Sequence, residues 1–183
     1  LQQLPELEGF PFTVFDDAIS EAIHWGLLSS LSEDMPKLLN IQPVFPFFLQ
    51  TKVNSLDAAT QKALQVGFKN HYLGLAESYD DYMESKNPQE RQLGIFFCRL
   101  EYENLYHALE LCLQDQDSLD IFFCLFKYFD VTNDIQSNLK LSEYVCQAIT
   151  AYPDSFLESD LGYQIALTIE RLAGCQLNSK LHQ

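Results

Sequence analysis

Apolar residues recur at intervals of three and four positions along most of the chain from Leu56 onward. This spacing is typical of amphipathic α-helices, because a helix places such residues on one face. The first run predicts a helix of about 28 residues, which Asp57 can cap and which the Asn87–Pro88 pair ends. Its apolar positions are Ala59, Ala63, Leu64, Phe68, Tyr72, Leu75, Ala76, Tyr79, Tyr82 and Met83.

The helical period continues after Pro88 but changes phase near Tyr102 or Glu103. Because one straight helix keeps a single phase, the sequence predicts two helices with a kink between them. The apolar positions of these two helices are Leu93, Phe96, Phe97, Leu100, Leu105, Tyr106, Leu109, Cys112 and Leu113.

Residues 119–131 read LDIFFCLFKYFDV and are apolar on nearly every side of a helix. A helix of this kind lies at the centre of a core. The polar residues 115–118 precede it and can cap it. Since Phe122 and Phe123 also suit a β-strand, a strand is the alternative interpretation of this segment.

Two more helices are predicted, over residues 135–152 and 160–177, with Pro153 ending the first. Residues 118–131 and 135–152 together have the length of a tetratricopeptide unit, a pair of helices in about 34 residues. Ala148 and Pro153 stand where such a unit places them, although the first helix carries bulkier side chains. We therefore expect a mainly α protein built as a tetratricopeptide-like solenoid.

The first 55 residues have a mixed pattern that predicts a helix, a β-hairpin and a second helix. Thr13 is a candidate N-cap for the first helix, which is expected to end near Gly26 or Leu28. The short apolar pieces LLSSL and LLNIQ can then pair as a hairpin. Pro46 suits the first turn of the helix that follows.

The charge of the chain limits its partners. Its 183 residues include 26 acidic and 11 basic ones, for a formal net charge of −15. This charge repels nucleic acid and anionic membranes, and no apolar run approaches the roughly 18 residues of a membrane span. The five cysteines lie in apolar helical runs and predict reduced core thiols of a cytoplasmic protein.

Nucleotide-binding and hydrolase motifs such as GxxxxGK[ST], GxGxxG and GxSxG are absent from the sequence. His107, Glu103 and Glu110 share a helix face, where they could bind a metal or act as acid and base. We favour a surface row that stabilises the helix, since no other His offers a recognisable ligand spacing. The sequence therefore predicts no catalytic residue, no cofactor and no metal.

An acidic cluster lies at the end of the first long helix. It lacks the glycine and the terminal glutamate of an EF-hand loop, so a solvated acidic face is favoured over a calcium site. The cluster consists of Glu77, Asp80, Asp81 and Glu84.

Arg99 lies near the predicted kink and can form a structural ion pair with Glu101 or Glu103. The aromatic runs FPFF, IFFC and IFFCLFKYF are predicted to be core rather than the lining of a ligand pocket. A binding groove, if the helices form one, is expected on the concave face of their stack.

The passage AISEAIHWGLLSSLSED followed by LLNIQPVFPFFLQTKV resembles the end of the winged-helix domain in signal-transduction ATPases of the STAND class, including NB-ARC types. In these proteins a helix ending in a Gly-Leu step precedes a wing, a strand and a short helix with a His-Pro-like pair. That pair is Gln42–Pro43 here, and Gln42 stands where these proteins commonly carry a nucleotide-sensing His.

The later passages NHYLGLAESYDDYM and RLEYENLYHALELCL resemble the helical lead-in to the tetratricopeptide sensor arm of bacterial members. The matching positions are Tyr72, residues 75–77, Glu103 to Leu105, and Ala108 with Leu109. The resemblance implies a partial winged-helix-like segment over residues 1–55 and a tetratricopeptide-like array over residues 56–183, truncated at its C-terminal end. It also implies Walker motifs upstream of Leu1, and both chain ends look cut from something longer.

We expect a non-catalytic protein–protein interaction and regulatory module, the linker or sensor arm of a larger nucleotide-switch signalling protein. The alternative is a free-standing helical-repeat adaptor that binds a peptide or protein in its groove. Winged helices also bind DNA, but Lys37 is the only basic residue before Gln50, so a structural wing is favoured. The candidate interaction residues are Arg99, Glu103, Asn104, His107, Tyr72 and Gln42.

Overall fold

The computed structural model describes residues 12–32, 35–43, 45–153 and 159–181. Within these ranges the chain forms eight helices and one small two-stranded antiparallel sheet, so the prediction of a mainly α protein with a hairpin is confirmed. The chain divides into two compact units, residues 1–67 and 68–183. Each unit is described by itself below.

The first unit begins with helix α1 (Phe12–His24), which ends before Gly26, as predicted. Gly26 has a φ of 69°, a conformation that glycine adopts without strain. Thr13 lies inside α1 rather than before it, so its predicted role as N-cap is wrong. An N-cap residue precedes the first helical residue, and α1 already includes Phe12.

The predicted hairpin is present as strands β1 (Leu28–Ser32) and β2 (Met35–Ile41), which pair antiparallel with Leu28 opposite Ile41. Helix α2 (Phe45–Asn54) follows with Pro46 in its first turn, as predicted.

Helix α3 (Ala58–Glu84) is the long amphipathic helix that the periodicity predicts. The side chain of Asp57 caps it by accepting hydrogen bonds from the backbone N–H of Ala59 and Thr60, at 3.1 and 3.0 Å. In the second unit, the buried stripe of α3 follows three- and four-residue spacing through Lys69, Tyr72, Ala76, Tyr79 and Met83.

Five further helices complete the second unit. They are α4 (Pro88–Leu100), α5 (Tyr102–Asp115), α6 (Asp120–Val131), α7 (Ile135–Ile149) and α8 (Asp160–Leu181). The kink between α4 and α5 falls at Glu101, within a residue of the predicted position. The segment containing Phe122 and Phe123 is a helix and not a strand.

Capping residues set the starts of these helices. Asn87 accepts a hydrogen bond from Gln89 N–H at 3.0 Å before α4, and Asp134 accepts one from Ser137 N–H at 3.0 Å before α7. At the start of α6 the N-cap position is Leu119, which cannot cap with its side chain, but the hydroxyl of Ser118, from the predicted polar cluster, accepts a 3.0 Å hydrogen bond from Asp120 N–H.

Helix α6 lies at the centre of the second unit. It contacts α4, α5 and α7, and α7 in turn contacts α8. Four side chains in the first half of α6 are at most 1% exposed, which confirms that this helix lies in the core, as predicted. These four are Ile121, Phe122, Cys124 and Leu125.

The cysteines and aromatic runs agree only partly with their predicted burial. Cys98, Cys112 and Cys124 are buried free thiols, as predicted, and Cys146 is half-buried. In the FPFF run, however, Phe47 and Phe48 are exposed, so the prediction that this run is core is wrong. No described side chain of α2 is buried, and Lys52 Nζ lies 5.3 Å from the Phe48 ring centroid, where a cation can contact an exposed ring.

No helix in the described part of the chain has the length and apolar character needed to cross a membrane.

Gly94 in α4 allows close contact with α3. A Cβ atom at Gly94 would lie 2.8 Å from Met83 Cγ, and 3.0 Å from both Met83 N and Tyr79 O. Two of these three atoms belong to the backbone and cannot rotate away. At Gly74 in α3, by contrast, an added Cβ meets nothing within 4 Å.

We expect Gly94→Ala to lower the free energy of unfolding by roughly 1–3 kcal/mol relative to Gly74→Ala, because only Gly94 faces a backbone that must move. Both substitutions gain the helix propensity of alanine, about 1 kcal/mol, so this common gain cancels in the comparison. Urea unfolding followed by circular dichroism measures the difference. Equal stability of the two variants would contradict the close α3–α4 approach.

Candidate functional site

A groove in the second unit lies between α3 and the start of α6 and has a volume of about 530 Å³. Helix α3 contributes one wall and the segment 118–123 contributes the other. The lining residues are Leu73, Gly74, Ala76, Glu77, Asp80, Asp81, Ser118, Asp120 and Phe123.

The floor of the groove is apolar. Leu73 and Phe123 are half-buried and offer part of their surface to the groove, while the fully buried Ala76 lies beneath them. Gly74 adds no side chain, and the space beside it is open. A ligand with an apolar portion can therefore lie against this floor.

The rim of the groove is acidic. Glu77 and Asp81 are exposed and stand one helical turn apart, where like charges repel. None of the described cations forms an ion pair with either of them. Asp120 is already engaged, since its carboxylate accepts hydrogen bonds from Ser118 Oγ at 2.8 Å and Gln164 Nε2 at 3.2 Å. Glu77 and Asp81 are thus the carboxylates available to an incoming cation.

Lys127 in α6 binds the other half of the predicted acidic cluster. Its Nζ lies 2.8 Å from Asp80 Oδ2 and 2.5 Å from Glu84 Oε1. The hydrogen bond from Lys127 lowers the pKa of the Glu84 carboxyl. The prediction of a solvated acidic face therefore holds for Glu77 and Asp81, whereas Asp80 and Glu84 form ion pairs with Lys127 of α6.

Lys69 makes a second cross-link of the same kind. Its side chain is only 7% exposed, and Nζ donates hydrogen bonds to Asp115 Oδ2 at 2.6 Å and to Asp117 Oδ2. Burial alone lowers the pKa of Lys69, but the hydrogen bonds and charges of the two aspartates outweigh it, and the pKa rises above 10.5. Lys69 thus remains a cation within the core-facing stripe of α3.

The kink at Glu101 brings together two of the predicted interaction residues. Glu101 Oε2 accepts hydrogen bonds from Tyr72 Oη at 2.9 Å and from Asn104 Nδ2 at 2.7 Å. Burial, and then the bond to Glu101, raises the pKa of the Tyr72 hydroxyl. Tyr72 and Asn104 therefore stabilise the α4–α5 junction through their hydrogen bonds to Glu101. Tyr72 is too buried to contact a partner protein.

The remaining predicted interaction residues are exposed and dispersed. Arg99 and Glu103 form no ion pair with any described residue, so the expected pairing of Arg99 with Glu101 or Glu103 is wrong. Glu101 turns to Tyr72 and Asn104 instead, since that leaves its carboxylate with two donors.

His107 Nδ1 lies 3.2 Å from Glu110 Oε2 on the surface of α5. Its ring centroid is 5.5 Å from that of Phe68. Among the described residues no group of three His, Cys, Asp or Glu side chains is arranged to hold a metal ion.

Gln42 is exposed, and its backbone N–H donates a 3.0 Å hydrogen bond to Leu27 O at the open end of the hairpin. This contact fixes the exit of β2 toward α2.

Sequence reasoning missed the roles of Lys69, Lys127, Asp120 and Phe123. Lys69 gave a readable signal, because it stands three residues before Tyr72 on the apolar stripe, where a lysine needs a buried partner. The sequence carries no signal of the pairing between Lys127 and Asp80, because the two residues are 47 positions apart. Phe123 could be recognised as apolar, but not as the apolar residue that meets the acidic rim.

We expect Lys69→Met to lower the free energy of unfolding at pH 7 by roughly 1–3 kcal/mol, because it removes the buried cation that Asp115 and Asp117 share. Lys86→Met, which removes an exposed lysine, is the matched control. The contribution of Lys69 is present below pH 10.5 and is lost as the pH rises through its raised folded pKa. The free energies of unfolding of wild type and Lys69→Met, measured with urea, should therefore become equal once the pH exceeds the folded pKa of Lys69. A difference that stays constant with pH would contradict the ion-pair role.

Comparison with known proteins assigns no family to this chain. No protein-family model matches it, and neither does any curated protein or solved structure. The function is therefore inferred from the geometry of the described residues.

Proposed function

We propose that this chain is a protein–protein interaction and regulatory module with no catalysis of its own, acting as the linker or sensor arm of a larger nucleotide-switch signalling protein. The observation that carries the proposal is the apolar surface of residues 12–54. We call the exposed apolar side chains of these residues the N-terminal apolar surface.

Among the described side chains of residues 12–54, the large apolar ones are mostly exposed. Leu28 is the only buried side chain among those described there, whereas Trp25 is 71% and Phe47 is 76% exposed. Exposed apolar surface beyond scattered single residues favours interaction with another protein. The surface includes Val14, Phe15, Ile23, Trp25, Leu39, Ile41 and Phe47.

The charge around this surface indicates what kind of partner fits. Asp16, Asp17 and Glu21 of α1 are exposed, and Lys37 is the only basic residue before Gln50. Such a surface disfavours nucleic acid. A protein surface with an apolar centre and basic residues around it complements it better.

The helix packing of the second unit supports a tetratricopeptide-like array. Each helix from α5 to α8 contacts the next one, and α4 with α6 and α5 with α7 are also in contact. Contacts between nearest and next-nearest helices are the pattern of stacked helix pairs, in which a repeat meets only its neighbours. The pair α6 and α7, joined by residues 132–134, would be one such repeat.

In the proposed mechanism this module relays binding by rigid-body motion. The N-terminal apolar surface docks on the nucleotide-switch domain of the parent protein in one state and is released in the other. A partner that binds only the released state shifts the equilibrium by its differential affinity.

We expect the coding sequence upstream of Leu1 to contain a P-loop and a Walker B segment, and the domain that it encodes to bind this chain when the two are expressed as separate polypeptides. Phe47→Asp should weaken that binding about tenfold or more, because it places a charge in the apolar surface that the proposed contact would bury. Isothermal titration calorimetry measures the affinity.

Tyr163→Asp is the matched control, since Tyr163 is 69% exposed and lies on α8. Both variants should keep the wild-type free energy of unfolding. The proposal fails if no nucleotide-binding segment precedes Leu1, or if the two variants bind equally well.

The alternative function is a helical-repeat adaptor that binds a peptide in the groove between α3 and α6. It is favoured by the combination of an apolar floor with two unpaired rim carboxylates. Lysine and arginine side chains carry an apolar stem and a cationic head, and so match both features. Phe123 already accepts one such contact, because the guanidinium carbon of Arg171 lies 5.1 Å from its ring centroid.

For this alternative we expect the chain to bind a short peptide in which arginines flank a phenylalanine. The double variant Glu77→Gln, Asp81→Asn should weaken this binding about 2- to 30-fold, because each exposed ion pair contributes about 0.2–1 kcal/mol. Glu103→Gln with Glu143→Gln removes the same charge from other exposed positions and is the control. Fluorescence anisotropy of the labelled peptide measures both. Equal weakening by the two double variants would indicate attraction to the net charge and not to the groove.

A further inference from the structure

Two buried thiols lie close together in the core of the second unit. Cys98 of α4 and Cys124 of α6 are 0% and 1% exposed, and their sulfur atoms are 3.6 Å apart. In the described part of the chain, no other two cysteine sulfur atoms lie within hydrogen-bond distance of each other. Among the described side chains, neither Cys112 on α5 nor Cys146 on α7 has another cysteine sulfur at such a distance.

The two sulfurs are in contact but are not bonded to each other. A disulfide places its sulfurs about 2.05 Å apart, so the pair needs to approach by roughly 1.5 Å. Small rotations of both side chains, or a small shift of α6 against α4, can supply this movement. The side chains project from different helices that already contact each other, so a bond between them would join α4 directly to α6.

We propose that Cys98 and Cys124 form a redox-sensitive lock, in which a peroxide oxidises the two thiols to a disulfide that joins α4 to α6. In the first step one thiolate attacks a peroxide oxygen and becomes a sulfenic acid, and hydroxide leaves. In the second step the other thiolate attacks the sulfenic sulfur, the S–S bond forms, and hydroxide leaves again and is protonated to water. Overall, the two thiols lose two electrons and two protons, and one hydrogen peroxide becomes two waters.

The position of the pair determines how it responds. The hydrogen bond with Cys98, followed by burial, raises the pKa of the Cys124 thiol, so little thiolate is present in the closed protein. Hydrogen peroxide is nearly as small as water and can enter during brief local openings that exclude larger reagents. The lock is therefore slow to form, and once formed it is shielded from bulky reductants.

The location of Cys124 explains what the lock would change. Phe123 of the groove precedes it in the chain, and Lys127, which binds Asp80 and Glu84 of α3, lies less than one helical turn after it. A shift of α6 toward α4 therefore moves the groove wall and the α3 contact together. The oxidation itself does not depend on either proposed function.

The test treats the full chain with hydrogen peroxide under native conditions, then unfolds it, alkylates the free thiols and maps the peptides by mass spectrometry. We expect the intact monomer to lose about 2 Da before alkylation, a loss that dithiothreitol reverses after unfolding, and the peptide map to show Cys98 and Cys124 in one linked peptide. Cys98→Ala and Cys124→Ala should each abolish the link, whereas Cys112→Ala and Cys146→Ala should leave it unchanged. Circular dichroism before and after oxidation reports whether the protein stays folded.

Three results would overturn the lock. They are oxygen adducts on Cys98 or Cys124 without a cross-link, a disulfide that involves any other cysteine, and a Cys98–Cys124 link that forms only when the protein is unfolded. The wild-type result decides the matter even if one alanine variant fails to fold.

Discussion

The burial of α6 is the constraint on which the second unit depends. Side chains on several sides of this helix are completely removed from solvent, among them Phe122, Ile121 and Leu125. Burying each of these contributes about 1.5–3 kcal/mol, but only when neighbouring helices cover it on that side. Helices α4, α5 and α7 therefore have to surround α6, and their contacts with it follow from its sequence.

Polar residues at the ends and edges of α6 then fix how its neighbours lie. Asp120 at its start is bonded to Gln164 of α8, and Lys127 near its end is bonded to Asp80 and Glu84 of α3. Partly exposed ion pairs contribute about 0–1 kcal/mol each, much less than the buried apolar side chains. Their main effect is on position, because a lysine between two carboxylates holds α3 in one register against α6.

Charge repulsion would otherwise work against this packing. The chain carries a net charge of −15, and several of its carboxylates are concentrated on α3 and in the residues that precede α6. Lys69 and Lys127 each bind two carboxylates and so offset one of the two negative charges at each cross-link. Glu77 and Asp81 receive no such cation from the described residues, so both add their full negative charge to the rim of the groove.

Local features of the fold were readable from the sequence, because they depend on neighbours in the chain. The spacing along α3, the cap at Asp57 and the phase change near Tyr102 all involve residues within a few positions of one another. The hairpin followed from two short apolar pieces with a polar interruption. Thr13 failed because several residues can start a helix, and the pattern does not choose among adjacent ones.

The groove could not be read in the same way, since its walls are about 40 residues apart in the chain. The pattern identified Glu77, Asp80 and Asp81 as an acidic cluster, but only the fold divides them into paired and unpaired carboxylates. It also places Phe123 beside them. The expected role of Arg99 failed for a similar reason: the donors that reach Glu101 are Tyr72, from another helix, and Asn104.

The two candidate interaction surfaces make different physical demands on a partner. The N-terminal apolar surface gains free energy by removing apolar area from water, an effect that salt does not screen. The groove gains its selectivity from exposed charges, whose attraction weakens as the Debye length falls from about 10 Å at 0.1 M salt to about 3 Å at 1 M. A complex that persists at high salt therefore uses the apolar surface, whereas one that dissociates there uses Glu77 and Asp81. Ionic strength thus separates the linker function from the adaptor function without any knowledge of the partner.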